Sequence, residues 1–87
     1  MSMTNLKAKD SLLKGFEFCE SEQYDDALKA FEASARARPE AAEIHYGLGL
    51  LYLLLGDKNS AEKEQKILKS LNVNLGNKLM SFISESG

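Results

Sequence analysis

Eighty-seven residues, 44% of them hydrophobic and 28% charged, suit one small globular domain and are too apolar for a disordered chain. A formal charge of −2 lacks the basic excess of a nucleic-acid surface, and a lone cysteine, Cys19, excludes an internal disulfide framework. The longest apolar run, residues 48–55, falls far short of the roughly 20 residues that span a bilayer, and the first six residues hold no secretory stretch. The expectation is therefore a cytoplasmic protein with no membrane insertion and no nucleic-acid partner.

Five helices fit the punctuation. The first is expected over residues 5–21, closed by the polar stretch Glu20-Ser21-Glu22-Gln23. The second covers 25–38: Asp25 and Asp26 suit its positive N-terminal end, Arg36 and Arg38 its negative C-terminal end, and Pro39 stops it. The third spans 41–55 and ends at Gly56-Asp57, with the glycine suited to a left-handed cap. The fourth opens with Asn59-Ser60-Ala61-Glu62, which reads as a variant capping box, and ends near Leu71-Asn72. The fifth occupies 74–85, with Leu75, Leu79, Phe82 and Ile83 on one face and Asn77, Lys78, Ser81, Ser84 and Glu85 outward. No strand-like alternation of useful length occurs, so the fold class is all-α.

Gly15, Phe18 and Ala27 recur as Gly49, Tyr52 and Ala61, each pair 34 residues apart. That spacing marks a stacked helix-turn-helix unit. The first copy reads Ser11-x2-Lys14-Gly15-x2-Phe18, then Ala27-x3-Phe31, then Pro39. The second reads His45-x2-Leu48-Gly49-x2-Tyr52, then Ala61-x3-Gln65, with Val73 in place of proline. The pattern resembles the tetratricopeptide repeat family, despite departures at Ser11, Lys14, His45, Gln65 and Val73. The resemblance implies a right-handed stack of two antiparallel helical hairpins, repeat one over about 8–41 and repeat two over about 42–73, with a capping helix over 74–85. A capping helix predicts that the array ends here. Gly15 and Gly49 are expected to admit the second helix of each pair, opposite Ala27 and Ala61, while Phe18, Phe31 and Tyr52 fill the space between helices.

The same resemblance implies that the first helix of each copy lines a concave groove for a peptide. Its positions are Lys9, Leu12, Phe16, Cys19 and Glu20 in copy one, and Glu43, Tyr46, Leu50, Leu53 and Leu54 in copy two. Helical spacing agrees, because 12-16-19 and 46-50-53 each form a stripe distinct from 11-15-18 and 45-49-52. Three uses of the second stripe stay open: a groove for an apolar partner segment, a homodimer interface, or packing against the first helix pair. A clamp for acidic C-terminal peptides is not expected, since Phe16 and Gly47 stand where that use needs asparagine.

Cys19 and His45 invite a nucleophile-base reading, but parallel first helices would leave them about 12 Å apart along the axis. His45 is expected instead to replace the family's tryptophan as a packing residue. One histidine and one cysteine give no metal-ligand spacing, and the acidic run Glu20, Glu22, Asp25, Asp26 lacks calcium-loop order. No cofactor, metal or enzymatic activity is expected. The reading is a protein-binding module (an adaptor, assembly factor or small chaperone for an apolar segment), with a self-associating homodimer as the alternative.

Overall fold

The first four helices of this chain are each closed by a local hydrogen-bonding device, and these devices set the architecture. The computed structural model describes residues 14–85. Helical residues 14–20 form the described part of α1, followed by α2 (Tyr24–Ala37), α3 (Ala42–Leu54), α4 (Lys58–Leu71) and α5 (Val73–Glu85). Among the described residues there is no strand. Successive helices pack as α2 on α3, α3 on α4 and α4 on α5, and α5 also returns to α3. The result is a helical hairpin stack.

The two first helices of the repeats end in the same way, 34 residues apart. After α1, Gln23 N–H donates to Phe18 C=O at 2.8 Å and Glu22 N–H to Cys19 C=O at 3.1 Å. After α3, Asp57 N–H donates to Tyr52 C=O at 2.8 Å and Gly56 N–H to Leu53 C=O at 3.1 Å. This is the paired-bond helix ending that requires one left-handed residue. Gly56 meets the requirement freely at φ 78°, whereas Glu22 adopts φ 60° with a side chain. Replacing Glu22 by glycine should therefore raise stability by about 0.5–1 kcal/mol, after allowing for glycine's greater unfolded freedom. Thermal melting should show a gain of ~3–6 °C; an unchanged or lower midpoint would contradict the assignment of strain to that turn.

The fourth helix begins earlier than its sequence suggests. Asp57, not Asn59, is the cap: its carboxylate accepts from Ser60 N–H at 3.1 Å and from the Ser60 hydroxyl at 2.6 Å. Those bonds hold the Asp57 carboxyl below the usual carboxylate range. The capping box of Asn59 and Glu62 is thus corrected to an Asp57–Ser60 cap. The second helix likewise starts one residue ahead of the expected Asp25, at Tyr24.

The junctions between hairpins differ, and the difference places α5. Between α2 and α3 the chain uses four residues, 38–41, including Pro39. Between α4 and α5 it uses only Asn72, whose N–H closes α4 on Leu68 C=O at 2.7 Å and whose side chain accepts from Leu75 N–H at 3.0 Å. One residue therefore ends one helix and caps the next. So short a link forces a close crossing of α4 and α5, and Gly76 allows it: a Cβ there would stand 2.7 Å from Lys69 Cα.

Apolar burial falls into two clusters that share α3. Ala27, Phe31, Ala41, Ile44, Leu48 and Leu51 form the first, with Phe18, Cys19 and Tyr52 against it. Ala61, Leu68, Leu79 and Ile83 form the second, with Tyr46, Leu50, Leu53 and again Tyr52 against it. A helix apolar around its circumference must be covered on several sides. That is the condition of α3, which lies between the two clusters.

Candidate functional site

Phe31 organises the first hairpin. Its ring fills the space left by two missing side chains: a Cβ on Gly15 would come within 3.0 Å of it and one on Gly47 within 3.2 Å. Phe16 meets the same ring edge-on, with centroids 5.3 Å apart and planes at 85°. Gly15 thus admits the second helix of its pair, as its position in the repeat implies. Gly49 does not follow suit. Its nearest neighbours are the side-chain atoms of Leu79 in α5, so the expected approach of α4 at this glycine is corrected to an insertion from the capping helix. Ala61 is nevertheless fully buried, as is Ala27. Gln65, which stands where repeat one has Phe31, is buried and donates to Gly76 C=O at 3.3 Å.

His45 is a buried bracket between elements. Its Nδ1 lies 2.7 Å from Glu64 Oε1 in α4, and its Nε2 lies 2.6 Å from the Pro39 carbonyl in the α2–α3 turn. Each ring nitrogen therefore has its own oxygen partner at hydrogen-bond distance. The expectation of a packing residue missed this polar role, because Glu64 lies 19 positions away and leaves no local signal. With both nitrogens engaged, the ring has none left to serve Cys19. Burial also pushes the Cys19 thiol up, away from the thiolate form a nucleophile needs. Burial first, then the carboxylates of Glu32, Glu64 and Asp57, push the Tyr52 phenol up as well.

The expected groove residues separate into two groups. Phe16 is 49% exposed on the Phe31 side, and Cys19 packs against the first cluster. Tyr46, Leu50 and Leu53 turn to the second cluster, so packing against the first helix pair is corrected to packing against α4 and α5. Leu54 is 61% exposed. Glu20 and Glu43 are exposed, and Lys9 and Leu12 lie outside the described residues.

An open groove of about 530 Å³ runs between α3 and α5, lined by Leu50, Leu53, Leu54, Phe82 and Glu85. Two of its walls were not legible in the helical pattern. Phe82, expected on the buried face of α5, is 38% exposed in the groove, and Glu85, expected outward, lines it. The outward side of α5 is also less polar than expected, since Val73 and Met80 are exposed there. Among the described residues no group of three or more His, Cys, Asp and Glu side chains could hold a metal ion, and no helix is long and apolar enough to cross a membrane.

A family model described as tetratricopeptide repeat matches residues 14–69, which takes in α2, α3 and most of α4. No curated protein matches the chain, and no solved structure does. The family is generally a non-catalytic module of protein-protein interaction. Repeat spacing, hairpin stack and family match agree: the chain belongs to the tetratricopeptide repeat family.

Proposed function

We propose that the domain holds an apolar segment of a partner protein in the groove between α3 and α5, as an adaptor, assembly factor or small chaperone would. The observation that carries this reading is Leu54. A leucine left 61% exposed beside Phe82, Leu50 and Leu53 forms a contiguous apolar wall rather than a scattered surface residue. The family supports protein binding in general, and the exposed apolar wall supports this groove as the surface used. The competing reading, a homodimer through the same wall, rests on the need of short repeat arrays for further packing. Here α5 already supplies a third layer over α3 and α4.

The test uses a synthetic amphipathic helical peptide with one leucine stripe. Leu54→Glu is the informative variant, because Leu50 and Leu53 also pack on the second cluster and would confound binding with folding. Leu54→Glu should weaken peptide binding by about tenfold or more while the melting midpoint moves by no more than ~4 °C. Sedimentation over a wide concentration range should show a monomer. A persistent dimer that Leu54→Glu dissociates would replace the partner reading with self-association.

A further inference from the structure

Resting on the groove reading above, we propose that the groove selects segments in which a lysine or arginine sits beside the apolar anchor, with the cation docking at Glu85. The groove lies at the C-terminal ends of two helices: Leu53 and Leu54 are the last residues of α3, and Glu85 is the last residue of α5. Helix C-termini carry partial negative charge and are usually complemented by basic side chains. The second helices of the hairpins follow that habit, with Arg36 in the last turn of α2 and Lys69 in the last turn of α4. Neither α3 nor α5 has a basic residue in its last turn.

Glu85 adds a full negative charge where the helix already has a partial one, which is the unfavourable end for a carboxylate. Among the described residues it makes no ion pair and is the only charged side chain lining the groove. Two negative helix ends and a carboxylate with no ion pair among the described residues thus meet around apolar walls. A lysine or arginine complements all of them at once: its aliphatic stem lies along leucine while its charged head reaches the polar rim. An acidic segment would meet like charge at the same place.

The experiment compares two synthetic amphipathic helical peptides that share one leucine stripe and differ only in carrying lysine or glutamate beside it. Binding is measured by fluorescence anisotropy at low and at elevated salt, to the intact chain and to Glu85→Gln, Glu85→Lys and Leu54→Glu. The native chain should prefer the lysine peptide by about tenfold at low salt, and less at high salt. Glu85→Gln should shrink the preference and Glu85→Lys should reverse it. A lysine at a helix C-terminus favours the helix, so weakened binding of the lysine peptide by Glu85→Lys cannot be attributed to unfolding, and circular dichroism should confirm intact helicity. Equal binding of both peptides to the native chain, or a preference untouched by Glu85→Lys, would overturn the charge proposal and leave the groove standing. Failure of both peptides to bind, or undiminished binding to Leu54→Glu, would remove the groove reading and this proposal together.

Discussion

Phe31→Ala should cost about 3–5 kcal/mol, close to half the total stability of a small domain at about 5–10 kcal/mol. The ring is 1% exposed and is held between the backbones of α1 and α3 at Gly15 and Gly47. The cost of a large-to-small change depends on how far the surroundings collapse into the void. Here two of the walls are glycines, which have no side chain to swing inward, and both lie within helices. The cavity should therefore persist, and Phe16 should lose its edge-on partner. Urea denaturation followed by circular dichroism should show the midpoint falling by about half without a change in slope. Phe31→Leu should fall between the two. A loss of less than ~1 kcal/mol would mean that the first hairpin does not depend on this ring.

Gly76→Val should be the second most damaging single change, at about 2 kcal/mol. A Cβ at this position would stand 2.7 Å from Lys69 Cα and 3.0 Å from Lys69 N, so the obstruction is backbone that cannot rotate away. Relief requires α5 to move off α4, and three other features move with it. Gln65 loses the Gly76 carbonyl, Leu79 withdraws from over Gly49, and Phe82 and Glu85 leave the groove wall. In an open helix, glycine to alanine gains up to about 1 kcal/mol; here Gly76→Ala should show no such gain. Melting curves check the stability, and hydrogen exchange should show faster opening of α5 with α2 little changed. A Gly76→Ala variant more stable than the native chain would refute the close crossing.

The helices, their order and the 34-residue register could be read from the chain because each rests on short-range signals. Proline after α2, glycine after α3 and apolar spacing along α5 all act within a few residues. What could not be read depended on length and distance. Asp57 and Asn59 are both good caps two residues apart, and Ser60 decides between them by bonding to Asp57 through both backbone and hydroxyl. The position of α5 followed from a one-residue junction where repeat one has four residues, a difference that carries it off the 34-residue register. Hence a helical wheel placed Glu85 outward and Phe82 inward, while the folded chain brings both to the groove. Gly76 was the available clue, a glycine inside an amphipathic helix with no turn to explain it. The partners of His45 had no clue at all, since one is a backbone carbonyl and the other lies on a different helix.

The proposed use of the wall between α3 and α5 in partner binding makes a residue-level prediction. Methyl chemical-shift mapping during titration with the lysine-bearing leucine peptide tests it most directly. Shifts concentrated at Leu50, Leu53 and Leu54, with Leu68 and Ile67 on α4 quiet, are the predicted result. Shifts centred on Ile67 and Leu71, or none up to saturating peptide, would contradict it.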